Sequence, residues 1–382
     1  MNTASLLFVA AAILAGWVLV GYPLWLAWLV RRRERPVRKG PVSDTVSVII
    51  PVRNGGSFLA AKLDSVLAQD YPRERIRDIL VLSDASTDAT DEIAMSYAAR
   101  GVRFLRLQPG GKCAALTRAF SEVSGDLLLL TDVRQRLETN CLSKLAACFA
   151  DPEVGTASGE LRIRDGETAA EARIGLYWRF ESWVRFALSQ IDSMLGATGP
   201  VYLIRRELAI PIPAECLLDD MFLPLSAFRR GYRLVQEPAA IAWDYPTTLQ
   251  GEFRRKVRTL AGNYQLLRYH PWLLGPSNRM WIHYMSLKVG RLLMPFLLLL
   301  MLVTSPWLPG PASGAALGAQ TAFYLLAALD PLWPEKAPGK SLTSAVRAFV
   351  VMMLAALAAV CVFFVEPTSL WKETRVRKTG NA

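Results

Sequence analysis

The sequence predicts an α/β domain that is built on a Rossmann-like parallel sheet and joined to transmembrane helices. Four short apolar segments alternate with helical ones between residues 46 and 131, a pattern typical of parallel sheets covered by helices. Three stretches carry no charged side chain, namely 4–30, 292–329 and 348–365. A bilayer span needs about 20 apolar residues, so these stretches place part of the chain in a membrane.

The uncharged stretches predict four spans. The first makes one helix, the second is long enough for a hairpin broken near Pro306 and Pro311, and the third makes one more. A signal peptide fits the first stretch poorly, because its charges follow a long apolar run instead of preceding it. The predicted regions are an N-terminal transmembrane helix with a basic flank (1–33), a cytoplasmic domain (40–250), an amphipathic interface helix (251–280), about three C-terminal transmembrane helices (281–366) and a basic tail (367–382).

The net charge of +11 is concentrated beside the predicted spans. Residues 31–40 contribute +5 and residues 372–378 contribute +3. Basic flanks mark the cytoplasmic side of a span and contact anionic headgroups, so the charge predicts a membrane partner and no nucleic acid. We expect a multi-pass protein of the inner (cytoplasmic) membrane whose catalytic domain faces the cytoplasm. Four spans would place the C-terminus outside, on the same side as the N-terminus, whereas the basic tail favours the cytoplasmic side. The side of the C-terminus therefore stays open.

Cysteine and histidine usage excludes several classes of site. The five cysteines are odd in number and form no C-x-x-C pair, which argues against a disulfide framework and a zinc ribbon. Only His270 and His283 are present, so a histidine-ligated metal centre or a Ser-His-Asp hydrolase is not indicated.

The alternating region defines where chemistry is expected. The predicted strands are Val46–Val52, Ile79–Ser83, Val102–Leu107 and Asp126–Thr131, separated by helices over 56–69, 88–100 and 111–123. Ligands bind beyond the carboxyl ends of such strands. The segments found there are Arg53-Asn54-Gly55-Gly56, Asp84–Asp88, Gly110-Gly111-Lys112 and Thr131–Gln135. Any one of them could be a turn with a helix cap, but four together predict a binding site.

Seven segments carry a resemblance to a known family. They are VSVIIPVRN (46–54), SDASTDAT (83–90), GGKCAALTRA (110–119), GDLLLLTD (125–132), GATGPVYLIRRE (196–207), LLDD (217–220) and RRKVRT (254–259). In their order and spacing the chain resembles glycosyltransferase family 2, which includes bacterial cellulose, hyaluronan and poly-N-acetylglucosamine synthases. The resemblance covers roughly 44–270. It implies a glycosyltransferase A-type fold and a membrane-bound, inverting hexosyltransferase that transfers sugar from a nucleotide-sugar, expected to be a UDP-sugar, to a growing polysaccharide or lipid-linked oligosaccharide. Polysaccharide-export proteins are possible partners.

The resemblance also implies roles for single residues. Asp84 matches the aspartate that binds the nucleotide base, and Lys112 resembles the cation beside the donor. Asp132 matches the first carboxylate of the D-x-D motif, which lies by the ribose and by the Mg²⁺ or Mn²⁺ on the diphosphate. Asp220 matches the general base of the E-D pair. The remaining matches are Pro51, Val52 and Asn54 around the base, Arg258 at the diphosphate, and Gly196, Thr198, Gly199 and Asp219 at the acceptor.

Two positions depart from the family pattern. Arg134 replaces the second D-x-D carboxylate. Either Asp132, the diphosphate and water hold the metal, or Arg134 neutralises the diphosphate with its bidentate fork. A third interpretation is a catalytically inactive nucleotide-binding subunit of a polysaccharide-export complex. Thr259 stands where processive synthases have a Trp, which leaves single transfer and processive synthesis open.

Overall fold

The computed structural model describes residues 2–163, 169–245, 249–334 and 337–370. The chain divides into two compact units. The helical unit contains the described residues of Met1–Trp28, Glu167–Ile174 and Thr247–Arg375, and the sheet unit contains those of Leu29–Gly166 and Gly175–Pro246.

The sheet unit is organised around one mixed β-sheet. Its strands are β1 Val46–Val52, β2 Ile76–Asp84, β3 Val102–Leu107, β4 Leu127–Leu130, β5 Arg136–Leu137, β6 Val154–Ile163, β7 Tyr202–Arg205 and β8 Arg233–Asp244, in the spatial order β3-β2-β1-β4-β7-β6-β8-β5. The first four strands are parallel to one another. β7 runs antiparallel to both β4 and β6, β8 runs parallel to β6, and β5 runs antiparallel to β8. The predicted parallel strands are therefore confirmed, and a mixed half extends the sheet beyond β4.

The helices complete both units. In chain order they are α1 Thr3–Gly16, α2 Tyr22–Arg32, α3 Gly56–Leu67, α4 Thr90–Ser96, α5 Gly111–Glu122, α6 Cys141–Ala147, α7 Ala169–Ile191, α8 Asp219–Arg229, α9 Leu249–Tyr269, α10 Trp281–Tyr284, α11 Gly290–Thr304, α12 Pro311–Leu329 and α13 Lys340–Ala358. Helices α3, α4 and α5 fall where the alternating pattern predicts them.

Strand β1 lies between β2 and β4 in the interior of the parallel half. All seven residues of β1 are buried, as expected for a parallel strand covered on both faces. Pro51 is compatible with this central strand because β4 pairs only with Val46–Ile49. The missing N–H of Pro51 therefore falls beyond the end of the β4 ladder, at the carboxyl end of the sheet.

The helical unit contains the candidate membrane spans. Four helical stretches are long and apolar enough to cross a bilayer: Thr3–Arg32, Trp281–Trp307, Pro311–Leu332 and Lys340–Phe363. The predicted hairpin is broken where expected, between Trp307 and Pro311. The predicted interface segment begins as α9, whose Tyr264 ring lies 5.5 Å from the ring of Phe363, centroid to centroid. The basic residues of the tail, 372–378, lie outside the described residues.

Part of the basic flank after the first span pairs with carboxylates of the sheet unit, and its predicted contact with headgroups stays a prediction. Arg35 pairs with Glu153 at 2.6 Å and Asp192 at 3.1 Å. Arg38 lies 3.6 Å from Asp151, and Lys39 pairs with Glu237. Three of the six basic side chains in this segment are thus engaged by carboxylates of the sheet unit, because the strand and helix ends beside the segment present acidic groups.

Candidate active site

A lysine between two carboxylates forms the centre of the candidate site. Lys112, in the first turn of α5, places its Nζ 2.9 Å from Asp132 Oδ1 and 3.0 Å from Asp219 Oδ2. Asp132 follows β4 and Asp219 begins α8, so three separate elements meet here. Burial alone would lower the pKa of Lys112, but Asp132 and Asp219 outweigh it and raise the pKa, with a smaller contribution from Asp220. The ammonium therefore stays charged at neutral pH.

The loops after β1 and β2 are joined to each other beside this cluster. Asn54 adopts a positive φ of 50°, a conformation that asparagine tolerates better than most residues. Its side-chain oxygen accepts a hydrogen bond from the backbone N–H of Thr87 at 2.8 Å, and its own backbone N–H donates to Ser86 Oγ at 3.1 Å. The predicted base-lining residues Pro51 and Val52 are buried at the end of β1.

Asp84 is tied to the loop that leads to Lys112. Its Oδ1 accepts hydrogen bonds from the backbone N–H groups of Gly110 at 2.7 Å and Gly111 at 3.1 Å. The Arg53 guanidinium lies 3.7 Å from Asp84 Oδ2. The carboxylate thus connects the end of β2 with the loop that follows β3, and it is 5% exposed.

The predicted acceptor loop packs directly on Asp220. The backbone N–H of Ala197 donates to the Asp220 carbonyl oxygen at 2.8 Å. A Cβ on Gly199 would lie 2.9 Å from Asp220 Oδ2, and a Cβ on Gly196 would lie 2.6 Å from Met221. Gly196 also has a φ of +152°, which favours glycine. Glycine at both positions therefore lets the loop approach the first turn of α8 without displacing the side chains of Asp220 and Met221.

Helix α8 presents both acidic residues in its first turn. Leu218 is the residue before the helix and makes no side-chain capping bond, while Asp219 and Asp220 are the first two helical residues. Carboxylates are favoured there because the helix dipole is positive at its N-terminus. Asp219 is buried, whereas Asp220 is partly exposed.

Arg134 forms a bidentate ion pair that the sequence did not predict. Its Nε and Nη2 donate to the two carboxylate oxygens of Asp244 at 2.8 and 2.6 Å. Gln135 Nε2 donates to the same carboxylate at 2.9 Å. Asp244 is the last residue of β8 and is 3% exposed. It lies more than 100 residues from Arg134 along the chain, so no local sequence pattern connects the two residues.

Three further residues at the site escaped sequence reasoning. Lys62 is fully buried, and burial lowers its pKa to about 7 despite the partial compensation by Cys141 and Asp132. Arg185 donates to Thr198 Oγ1 at 2.8 Å and so supports the acceptor loop. The Tyr202 hydroxyl is fully buried; burial, followed by Asp219 and Asp220, raises its pKa well above the usual value. Lys62 and Arg185 lie outside the seven family segments, and Tyr202 lies within 196–207 at a position to which the resemblance assigns no role.

The predicted residues are not all in one unit. Arg258 lies on α9 in the helical unit. The sheet unit contains the others: Pro51, Val52, Asn54, Asp84, Lys112, Asp132, Arg134, Gly196, Thr198, Gly199, Asp219 and Asp220. Within the sheet unit, direct contacts join Lys112 to both Asp132 and Asp219. The role of Arg258 at the donor stays a prediction.

A divalent metal fits this site only with help from the substrate. Among the residues that the structure describes, no three His, Cys, Asp or Glu side chains form a metal-binding group. Asp132 is about one-third exposed and can offer one carboxylate. Mg²⁺ is commonly held by one or two carboxylates together with substrate phosphates and water. The donor set therefore suits a metal that arrives with a diphosphate, with Asp132 as its protein ligand.

The mixed sheet and the carboxylate–lysine cluster at its carboxyl edge define a glycosyltransferase domain of the A-type fold. Residues 47–210 match the family model described as glycosyl transferase family 2. These matched residues therefore form a glycosyl transferase family 2 domain, in agreement with the resemblance identified from the sequence.

Curated relatives are similar over part of their length. An N-acetylglucosaminyltransferase of Azorhizobium caulinodans is 29% identical over 245 residues, which cover 59% of this chain and 61% of that protein. A hyaluronan synthase of Streptococcus pyogenes is 28% identical over 247 residues, covering 58% of each. The chain thus spans about three fifths of the length of these relatives.

A solved structure is similar over nearly the whole chain. The mannosyltransferase PcManGT from Pyrobaculum calidifontis, in complex with GDP-Man and Mn²⁺, has a TM-score of 0.70 at 21% identity. The match covers 94% of this chain and 99% of that one. At this identity the similarity establishes the shared fold.

Proposed function

We propose that the protein is a membrane-bound inverting glycosyltransferase. It transfers a hexose from a nucleotide-sugar, a UDP-sugar in the leading form of the proposal, to a polysaccharide or lipid-linked oligosaccharide acceptor. The observation that carries the proposal is the contact of Lys112 with both Asp132 and Asp219, at 2.9 and 3.0 Å, next to Asp220.

The donor half of the site is assigned to the carboxyl ends of β1 to β4. In this proposal Pro51, Val52, Asn54 and Asp84 surround the base, and Asp132 lies by the ribose and diphosphate. A leaving diphosphate gains negative charge as the glycosidic bond breaks, so fixed positive charge beside it lowers the barrier. Lys112 places an ammonium beside it, held at 2.9 and 3.0 Å by Asp132 and Asp219. Two carboxylates exceed the charge of one ammonium, so net positive charge at the diphosphate would come from this ammonium together with a bound metal. A bound Mg²⁺ or Mn²⁺ would supply further electrostatic stabilisation at the diphosphate.

The acceptor half is assigned to Gly196–Gly199 and the start of α8. An inverting transfer needs a base on the acceptor hydroxyl, on the face opposite the leaving group, and a carboxylate suits this task. Asp220 is partly exposed and lies against the glycine loop, whereas Asp219 is buried and engaged by Lys112. This difference favours Asp220 as the base and Asp219 as the residue that orients Lys112.

Membrane location and orientation belong to the same proposal. The four candidate spans and the arginines at the end of the first one support a multi-pass protein of the inner membrane with its sheet unit in the cytoplasm. Four spans are few for a secretion channel made by one copy. A lipid-linked acceptor, or a pore shared with polysaccharide-export partners, is therefore favoured over a self-contained polymer channel.

A GDP-sugar donor is the second candidate. It is supported by the match to the mannosyltransferase that binds GDP-Man, which covers 99% of the mannosyltransferase chain. The match to the N-acetylglucosaminyltransferase covers 61% of that enzyme. The two candidates share the same catalytic residues and differ only in base and sugar.

Release of nucleotide from a panel of UDP- and GDP-sugars tests the proposal. The full chain in lipid nanodiscs, supplied with Mg²⁺ and extracted membrane lipids, should release UDP or GDP from one member of the panel. The Asp220→Asn variant serves as the control for contaminating activity. Binding of nucleotides without turnover of any donor would contradict the proposal and favour the inactive-subunit interpretation.

A further inference from the structure

The loop that carries Asp132 is held at both ends by one buried lysine. Lys62 Nζ donates to Thr131 Oγ1 at 2.5 Å and to the Gln135 carbonyl oxygen at 2.7 Å. Thr131 Oγ1 in turn donates to the Pro200 carbonyl oxygen at 2.7 Å. These bonds fix residues 131 and 135, which enclose Asp132 and Arg134. A fully buried amino group is tolerated only where its hydrogen bonds are satisfied, so Lys62 is part of a built support.

The middle of the same loop is held by Asp244. This carboxylate accepts three side-chain N–H groups from the loop, two from Arg134 and one from Gln135, at 2.6 to 2.9 Å. Arg134 and Asp244 are 19% and 4% exposed. The charge of the guanidinium is therefore met by a buried carboxylate, and the pair as a whole adds no net charge to the site.

We propose that Arg134 and Asp244 form a positioning pair which, together with Lys62, fixes the 131–135 loop so that Asp132 faces the donor. Arg134 acts on the nucleotide through the position of Asp132 and not by touching the diphosphate. The inference rests on the proposed function and assigns a role to the residue that departs from the D-x-D motif. A misplacement of about 1 Å at a reacting group can lower a rate by about 10²-fold. A rigid support for Asp132 can therefore offset the energetic cost of burying charged side chains around its loop.

Two variants distinguish positioning from direct contact by the sign of their effect. If Arg134 touched the diphosphate, Asp244→Asn would release the guanidinium and tighten nucleotide binding, while Arg134→Gln would weaken it. In the positioning role both variants loosen the loop, so both weaken binding. The double variant should then bind nucleotide no more weakly than the single variant with the lower affinity, because both changes remove the same interaction.

Calorimetric titration of the full chain in nanodiscs with UDP–MgCl₂ and GDP–MgCl₂ measures these effects. We expect Arg134→Gln and Asp244→Asn each to weaken binding of the accepted nucleotide about tenfold, which corresponds to about 1.4 kcal/mol. Asp151→Asn is the matched control, since Asp151 pairs with Arg233 at 3.8 Å and both side chains are 2% exposed. This control should lower the melting temperature and leave nucleotide affinity unchanged.

The outcomes separate the inference from the proposed function. Tighter binding by Asp244→Asn, or additive losses in the double variant, overturns the positioning role. Should Asp244→Asn fail to fold, Gln135→Met removes one of the three bonds to the same carboxylate and should weaken binding by a smaller factor; unchanged or tighter binding contradicts the inference. Wild-type protein that binds neither nucleotide would overturn the proposed function, and the role of the pair with it.

Discussion

Removal of the Lys112 ammonium is the most informative single perturbation of the charge balance at the site. Lys112→Met leaves a side chain of similar length and takes the cation from between Asp132 and Asp219. At a separation near 3 Å and an effective dielectric constant of about 20, each contact is worth roughly 5 kcal/mol of gross attraction. Desolvation of the ammonium offsets most of that sum. These contacts hold the ammonium in the ground state, whereas the rate depends on the negative charge that the leaving diphosphate gains. Removal of one preorganised group at such a charge costs about 3 kcal/mol, or roughly 10²-fold in rate.

Initial rates of nucleotide release measure this effect, with the melting temperature recorded for each variant. We expect Lys112→Met to retain the fold and lose about 10²-fold in rate, and Lys112→Arg to recover part of it. Lys144→Met is the control, because Lys144 is an exposed lysine on α6, and its rate should be that of the wild type. A normal rate in Lys112→Met would refute the assignment of Lys112 as the fixed charge beside the leaving diphosphate.

Three further predictions concern the metal, the buried lysine and the topology. EDTA should abolish most of the transfer, by about 10²-fold or more, and Mg²⁺ or Mn²⁺ should restore it, because the charge of Arg134 is already met by Asp244; full activity in EDTA would contradict this. The pKa of Lys62 is lowered from 10.5 to about 7, so between these values the unfolded chain holds a proton that the folded protein lacks. The melting temperature should therefore rise as the pH increases from about 7 to about 10, and Lys62→Met should flatten that rise. A cysteine placed at Pro36 should react with an impermeant maleimide only from the cytoplasmic side, with the unsubstituted chain as control; labelling from outside would reverse the orientation.

In the parallel half, β1, β2 and β4 could be predicted because each contains a nearly continuous apolar run followed by polar residues, whereas β3, which includes Arg103 and Arg106, follows from its place in the strand–helix alternation. Such runs need no partner to be recognised, and their carboxyl ends lie on one edge by topology. The mixed half has weaker patterns. β5 is only two residues long, and β8 places Gln236 and Glu237 among its buried residues. These segments become strands through their neighbours in the sheet, which a linear pattern does not contain.

The candidate site shows the same division. Asp84, Lys112, Asp132 and Asp220 were found because they follow strands or begin helices in recognisable motifs. Asp244 was missed, since its importance comes from a partner across the sheet. From the sequence, either Arg134 neutralises the diphosphate, or Asp132, the diphosphate and water hold the metal, or the site is inactive; the loop-supporting role is suggested only by the contact with Asp244.

The turnover of Asp220→Asn tests the central claim most directly. Asn keeps the shape of the side chain in the first turn of α8 but cannot accept the proton of the acceptor hydroxyl. A positioned base contributes about 10²–10⁴-fold to such a step. Transfer should therefore fall by at least about 10²-fold, while the affinity for nucleotide, which the proposed function assigns to Asp84, Lys112 and Asp132, stays close to that of the wild type. Near-normal turnover in Asp220→Asn, measured with the same donor and acceptor, would contradict the account.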